Sequence, residues 1–470
     1  MSHIEPTPVV PTSKSRIFEH HLTWAERYAM GKACRKQIPR SLHASYSPPP
    51  ERASPIEIIE RADLGRLPDL LPLRHGRMAQ SPFTFYRGSA LAMAADLAHT
   101  PTSGLRVQAC GDAHLSNFGG FATPERRVIF AINDLDETLP APWEWDVKRL
   151  AASFAVASRH NGHSDSAARD AAAACVDSYR RRMHEFSQMK MLELWYTVIT
   201  ADDVMACVQD PEVRQRASKR LKKESAKSIA EDIFPKLAAS STKGATIRDQ
   251  LPTIFHYPGH NPGEVHDVVQ DAFDRYRESL PQSVRSLLDR FELKDAAIKV
   301  VGVGSVGTRC WVLLLMAGEH DPLFLQVKEA RESVLAPFAG ATVFPNQGQR
   351  VINGQRLLQP YSDIFLGWTT SQAGKHFYFR QLRDIKISIL VESFDKSLMK
   401  TYAEVCGWAL ALGHARSGDA AMISGYLGKS DEFAEAIAEF SWQYADQNEQ
   451  DHAAFEQAIR VGQIAAVFEE

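Results

Sequence analysis

Residues 299–315, KVVGVGSVGTRCWVLLL, place three glycines between two apolar runs. Gly302, Gly304 and Gly307 match the spacing G-x-G-x-x-G, which in a dinucleotide-binding fold leads into a helix. Here the residues after the last glycine are β-branched, aromatic and aliphatic, and such residues favour a strand. The segment therefore predicts a glycine-rich β-hairpin over 298–316 and argues against a dinucleotide-binding fold.

The β pattern of this hairpin contrasts with most of the chain. Apolar runs separated by turns extend from Ala296 to about residue 385, whereas residues before 290 and after 395 mainly show apolar positions at helical spacing. A chain of 470 residues also exceeds what one hydrophobic core holds. We therefore predict an α+β fold in two lobes. The predicted parts are a disordered tail (1–16), a large, mostly helical lobe (17–290), a small β-rich lobe (291–390) and C-terminal helices that pack on the large lobe (391–470).

Composition narrows the class of protein. The formal net charge is -3, from 54 basic and 57 acidic side chains, so we expect no nucleic-acid partner. No apolar run approaches the roughly 20 residues of a transmembrane helix. The six cysteines are scattered without a CxxC pair, and the N-terminus lacks the apolar region of a signal peptide. We expect a cytoplasmic protein with no membrane span.

Two acidic loops follow predicted strands. CGDAHLSN places Asp112 and Asn117 five residues apart with His114 between them, and INDLDET supplies Asp134 and Asp136. In kinase-like enzymes the Asp of such a loop receives or orients the acceptor hydroxyl, and the Asn binds a metal ion. Carboxylates in a second loop can join that metal to nucleotide phosphates. Either loop alone is compatible with an ordinary polar turn, but together they predict Asp112 and His114 as catalytic and Asn117, Asp134 and Asp136 as ligands of Mg²⁺ or Mn²⁺.

The glycine hairpin supplies candidates for binding the phosphates of ATP. Glycines let the backbone approach phosphate closely, and Ser305 and Thr308 add hydroxyl donors. On the next predicted strand, LFLQVKEA, alternation places Lys328 on the same face as Phe324 and Gln326. A lysine here is also compatible with a plain solvated strand face. The predicted nucleotide-binding residues are Gly302, Gly304, Ser305, Gly307, Thr308 and Lys328.

Further polar residues have less defined roles. Arg77 and Arg87, with Arg74, lie in or near SPFTFYRG (81–88) and are candidates for binding an anionic substrate. If that segment is extended, Phe83, Phe85 and Arg87 lie on one face. HARSGD adds His414 and Asp419 as a second candidate group that faces substrate. Asp146, in PWEWDVKRL, is expected to cap the N-terminus of its helix, or to brace the catalytic loop if the chain is kinase-like.

Six motifs together resemble a bacterial family catalogued as domain of unknown function 2252, from about residue 35 onward. They are SPFTFYRG, GDAHLSNFGGF, INDLDETLPAPWEWDVKRLAAS, VVGVGSVGTRCW, LFLQVKEA and HARSGD. The family's GDxHxxN and acidic loops are similar to those of aminoglycoside and choline phosphotransferases. The resemblance implies a protein-kinase-like fold that binds ATP, with Asp112 catalytic and Asn117 and Asp134 as metal ligands.

The order of these motifs departs from the usual kinase order. The glycine hairpin and its lysine follow the Asp112 loop by about 190 residues instead of preceding it. Either the fold is circularly permuted, which is feasible when chain termini are close together, or one resemblance is accidental. We expect phosphoryl transfer to a hydroxyl of a small molecule, with a peptide acceptor also open. The alternatives are nucleotidyl transfer, a nucleotide-binding regulator without catalysis, and, more weakly, metal-dependent hydrolysis through His114.

Overall fold

The computed structural model describes residues 22–225, 232–241, 244–256, 262–300, 302–382, 386–387 and 389–469. The tail predicted as disordered (1–16) lies outside these ranges. The protein is a mixed α+β structure with a large helical part, as the sequence predicts at that level. Among the described helices, none combines the length and apolar character needed to span a bilayer.

The N-terminal half contains most of the helices and the strands that carry the two acidic loops. The helices are α1 (Trp24–Cys34), α2 (Pro55–Asp63), α3 (Leu71–Ala79), α4 (Pro82–Gly88), α5 (Ala90–Leu97), α6 (Trp143–His160), α7 (Asp165–Gln188), α8 (Met191–Tyr196), α9 (Ala201–Cys207) and α10 (Pro211–Ser225). The strands are β1 (Arg106–Ala109), β2 (Phe118–Ala122), β3 (Val128–Ile132) and β4 (Leu139–Pro142).

The next part is built around an antiparallel sheet. Its strands are β5 (Ala238–Ser241), β6 (Gly244–Ile247), β7 (Ile254–Phe255), β8 (Glu292–Lys299), β9 (Cys310–Met316), β10 (Pro322–Glu329), β11 (Gly367–Thr370), β12 (His376–Gln381) and β13 (Lys386–Ile387). The helices are α11 (Phe234–Leu237), α12 (Pro262–Glu278), α13 (Gln282–Leu288), α14 (Ala336–Ala339) and α15 (Gln347–Leu358). Three helices follow, α16 (Lys396–Ser417), α17 (Ala420–Leu427) and α18 (Glu432–Arg460).

Six strands form one sheet in the order β11-β12-β10-β9-β8-β7. One side of it packs on α12 and α13, where Tyr276 stacks on Phe379 with ring centroids 3.9 Å apart. The opposite side carries a second apolar group, formed with β5 and β6, and the polar face described below. This sheet layer thus recruits residues from about 232 onward, well before the expected start of the small lobe at 291.

The helical part packs around α6, whose residues from Trp143 to Ser158 are all buried. The main core joins α6 to α7, α16 and α18, so the C-terminal helices complete the large part of the molecule. Helices α7 and α16 approach so closely that a Cβ on Gly407 would lie 2.1 Å from the carbonyl oxygen of Cys175. Glycine is required there because any side chain would force the two helices apart.

The motif SPFTFYRG is helical, so its reading as extended was wrong. Ser81 and Thr84 form a capping box, in which Ser81 Oγ accepts from the Thr84 amide at 3.1 Å and Thr84 Oγ1 accepts from the Ser81 amide at 2.9 Å. Pro82 occupies the first helical turn, where its missing N–H costs nothing. These start signals outweigh the β preference of the aromatic residues that follow.

Candidate active site

Strand pairing brings the two acidic loops together. The first loop joins β1 to β2 and the second joins β3 to β4. At one end Ala109 pairs with Leu139, and at the other Phe118 pairs with Ile132, so both loops begin and end side by side. The Asn133 amide also donates to the Asn117 carbonyl at 2.7 Å.

Asp146 braces the first loop instead of capping its own helix. Its carboxylate accepts from the amides of Cys110, at 2.6 Å, and Gly111, at 3.0 Å. The residue before α6 is Pro142, which makes no side-chain cap, so the expectation of an N-cap was wrong and the bracing alternative is observed. Gly111 has φ of +84°, and a Cβ there would lie 2.4 Å from the Glu137 carbonyl oxygen, so the turn needs glycine.

Asp112 is held by an arginine from α6. Arg149 donates to Asp112 Oδ1 from Nε at 2.7 Å, and its guanidinium lies over the Tyr86 ring at 4.6 Å. Burial raises the pKa of Asp112, and the Arg149 charge counteracts only part of that rise. Asn117 donates from Nδ2 to the Asp112 carbonyl at 2.9 Å, which leaves its amide oxygen for a ligand.

His114 lies beside Asp112, with Nε2 at 3.8 Å from Oδ2. His114 as a whole residue is 4 % exposed. Burial, reinforced by the nearby charges of Arg87 and Arg149, holds the pKa of His114 well below its usual value. The imidazole is therefore neutral at physiological pH.

Lys328 reaches from β10 to the second acidic loop. Its Nζ is 3.5 Å from Asp134 Oδ1 and forms a shorter ion pair with Asp136, which also accepts from the Tyr378 hydroxyl. Lys328 is 2 % exposed. Burial disfavours the charge, but the two carboxylates outweigh it, so the pKa of Lys328 lies well above its usual value.

The sheet carries a polar face around Lys328. Cys310, Lys328 and Tyr378 are directly paired across β9, β10 and β12, and in the adjacent row Gln326 Oε1 accepts from Arg380 Nε at 2.8 Å. Lys299 is the last residue of β8 and directly follows Ile298, which pairs with Trp311 of β9. Burial lowers the pKa of Lys299.

The glycine segment joins β8 to β9, which are antiparallel, as the hairpin prediction requires. Its centre is a short helical turn over Val303–Ser305, and Gly307 adopts φ of +85°. Arg66 holds the turn by donating to the carbonyl oxygens of Gly304, at 2.9 Å, and Val306, at 2.6 Å.

A cleft of about 810 Å³ lies between the sheet and the acidic loops. This volume is within the usual range for small-molecule sites. Most of the residues singled out from the sequence line it: Arg87, Asp112, His114, Asn117, Asp134, Asp136, Gly302, Gly304, Ser305, Thr308 and Lys328. Segments about 190 residues apart in sequence therefore share one cleft, although the chemical roles of these residues stay predictions.

A family model described as "uncharacterized protein conserved in bacteria (DUF2252)" matches residues 66–458. The chain belongs to this family. No curated protein and no solved structure matches it.

In this DUF2252 chain, three residues predicted to meet substrate do not line the cleft. Arg77 pairs with Glu469, with Nε 2.6 Å from Oε2, near the C-terminal end of the chain. His414 is fully buried between Asp146 and Tyr179. Asp419 caps α17 by accepting from the amides of Ala421 and Met422, both at 3.0 Å, so both HARSGD residues stabilise the helices.

Gly307 also lies outside the cleft lining, although it shapes the turn. The Gly307 carbonyl accepts a hydrogen bond from the Leu67 amide at 2.7 Å, which ties the turn to the segment before α3. Its positive φ makes glycine favourable there. The contribution of Gly307 is therefore to the shape of the hairpin.

Three residues of the site were missed by sequence reasoning, although each carried a signal. Lys299 and Arg380 line the cleft, and Arg149 contacts Asp112 from outside the lining. Arg149 lies three residues after Asp146 and so shares its helix face. Arg380 lies two residues after Tyr378 in β12, so both side chains are on the same face of the sheet. Lys299 lies at the end of the strand that leads into the glycine turn.

Oxygen atoms of Asn117, Asp134 and Asp136 are of the type that binds Mg²⁺. Asp134 and Asp136 have side chains 37 % and 25 % exposed, so both can be reached from the cleft, and Asn117 adds an amide oxygen. In the described ranges no cluster of three or more His, Cys, Asp or Glu forms a metal cage. Mg²⁺ commonly needs no such cage, because it binds one or two carboxylates together with substrate phosphates and water.

Proposed function

We propose that this protein is an ATP-dependent phosphotransferase with a circularly permuted, protein-kinase-like arrangement, acting on a hydroxyl of a small molecule. The observation that carries the proposal is the ion pairing of Lys328 with Asp134 and Asp136 inside the cleft. A lysine on the strand after a glycine turn, and metal-binding carboxylates on a separate loop, are parts that recur in kinase-like phosphoryl transfer. The α+β architecture and the shared cleft support it.

On this proposal the sheet side binds the nucleotide. The glycine turn and Lys328 hold the phosphates, and Lys299 and Arg380 on the same polar face add positive charge along the chain of phosphates. Asn117, Asp134 and Asp136 hold the divalent cation, which when bound neutralises charge on the transferring phosphate.

Asp112 orients the acceptor hydroxyl and takes its proton. A carboxylate with a raised pKa accepts a proton more readily than an ordinary one, and Arg149 fixes its direction. Asp146 acts through the backbone by holding Cys110 and Gly111, so it positions Asp112 without touching reactants.

The proposal includes a reducing, cytoplasmic setting. All six cysteines are free thiols, and four of them (Cys110, Cys175, Cys310 and Cys406) are buried. Unpaired cysteines are usual where thiols are kept reduced.

Nucleotide binding is the first test. Mg²⁺ with ATP should raise the melting temperature of the wild-type chain, because a ligand that binds only the folded state stabilises it. Asp134→Asn should remove most of the metal-dependent part of this shift, whereas Asp321→Asn, in the exposed turn after β9, should leave it unchanged. The proposal would be contradicted if saturating ATP or GTP with metal left the melting temperature unchanged.

The reaction product separates the two kinds of transfer: ADP indicates phosphoryl transfer, and AMP bound to the acceptor indicates nucleotidyl transfer.

A further inference from the structure

Arg87 faces the cleft without an ionic partner. It comes from the last turn of α4, and within the described ranges it makes no hydrogen bond or ion pair with another residue. Its Nε is buried and has no hydrogen-bond partner in the described part of the chain. The guanidinium carbon lies over the Phe83 ring, 5.8 Å from its centroid. Burial lowers the pKa of Arg87, and the charges of Glu392 and Asp112 offset part of that effect without forming an ion pair.

Other arginines at or next to the cleft have partners within the protein, and Arg66 and Arg74 line the cleft as Arg87 does. Arg74 pairs with Asp63 at 2.9 Å, Arg66 donates to backbone carbonyls, and Arg149 pairs with Asp112. Since Arg149 already balances Asp112, Arg87 is not needed to neutralise it. A buried cation without a counter-ion is unfavourable, and a bound anion would offset that cost.

Two neighbouring features add hydrogen-bond donors. His114 lines the cleft with Nδ1 buried and without a partner in the described part of the chain. Ala90 and Leu91, the first residues of α5, also line the cleft, and no side chain caps that helix start. A helix start presents free N–H groups and partial positive charge.

We propose that the acceptor carries a phosphate or carboxylate group beside its reactive hydroxyl, and that Arg87, with His114 next to it, binds this group adjacent to Asp112. The proposal deepens the phosphotransferase function and rests on it. Arginine suits either anion because its planar guanidinium donates two parallel hydrogen bonds.

The test measures binding of two probes, inorganic phosphate and glycerate, to the full chain by calorimetric titration. Each titration is made with and without a saturating non-hydrolysable ATP analogue and Mg²⁺, so that the nucleotide phosphate site is filled in one arm. With the analogue bound, wild-type protein should bind at least one probe, and Arg87→Gln should weaken that binding tenfold or more. The probe preferred identifies phosphate or carboxylate as the recognised group.

Two further variants control the result. Arg77→Gln, which removes an arginine outside the cleft, should bind both probes like wild type. Arg87→Lys keeps the positive charge but cannot donate two parallel hydrogen bonds, so it should bind the probes more weakly than wild type. It replaces Arg87→Gln in the test if Arg87→Gln does not fold. Equal binding by wild type and Arg87 variants, including no binding by any, would overturn the proposal. If the ATP analogue raises the melting temperature but no probe binding depends on Arg87, this inference is wrong and the proposed function stands. If probe binding depends on Arg87 but no nucleotide binds, the proposed function is wrong and the anion site stands.

Discussion

Asp146 and His414 meet in the core, 268 positions apart in sequence, with His414 Nε2 3.1 Å from Asp146 Oδ2. The same carboxylate oxygen accepts from the Cys110 amide at 2.6 Å. The Tyr179 hydroxyl holds the other ring nitrogen at 2.9 Å. Helices α6, α7 and α16 are thus connected by hydrogen bonds to the loop that carries Asp112.

His414→Phe should destabilise the protein by about 1–3 kcal/mol, because it removes the partner of the buried Tyr179 hydroxyl and one of the hydrogen bonds to Asp146. Urea denaturation followed by circular dichroism measures this change. His320→Phe, in the exposed turn between β9 and β10, should change stability by less than about 0.5 kcal/mol. Equal effects would show that the Asp146–His414 contact is dispensable.

Asp112→Asn should reduce phosphoryl transfer about 10²- to 10⁴-fold while nucleotide binding persists, since the residue acts on the acceptor. ADP release measures turnover, and the ATP-induced melting shift measures binding. Asp321→Asn is the matched control. A loss of only about twofold is too small for a catalytic base and would remove Asp112 from that role.

Lys328→Met should weaken ATP binding at least tenfold, because it removes a buried cation of the cleft that is proposed to bind the phosphates. Calorimetric titration with Mg²⁺ and ATP measures the affinity. Lys294→Met, which alters an exposed surface pair with Glu292, should bind as wild type does. Unchanged affinity in Lys328→Met would restrict Lys328 to a structural role.

His256 should make stability depend on pH. Hydrogen bonds to Asp295 and then Asp249 raise the pKa of His256 to about 9 from 6.5. Because the folded value exceeds the unfolded one, the stabilisation is fully present below pH 6.5 and disappears as pH rises through 9. The melting temperature of His256→Gln should therefore lie below wild type at pH 6 and converge with it near pH 10; a gap that does not change with pH would contradict this.

Local sequence patterns predicted those parts of the cleft whose arrangement depends only on the geometry of one strand or one hairpin. Alternation along β10 identifies the face of Lys328, and glycine spacing followed by strand residues identifies the hairpin. Register then brings these elements to the acidic loops, although the partners Asp134 and Asp136 could not be assigned from sequence.

Tertiary packing decided the residues that sequence misjudged. His414 and Asp419 form a motif that resembles a catalytic loop, yet they lie inside or at the end of helices whose burial depends on contacts with distant segments. Arg77 pairs with Glu469, which is 392 positions away. Such long-range partners leave no local pattern.

The hydrogen bonds from Arg66 to Gly304 and Val306 order the glycine turn through groups of the protein itself. A loop that is already ordered loses little conformational entropy when a ligand arrives, which favours affinity. The same bonds must stretch or break if the turn is to lift for a nucleotide to enter or leave. Exchange of ligand at this site is therefore expected to be limited by the time the turn spends open, a rate that amide hydrogen exchange at Ser305 and Thr308 would report.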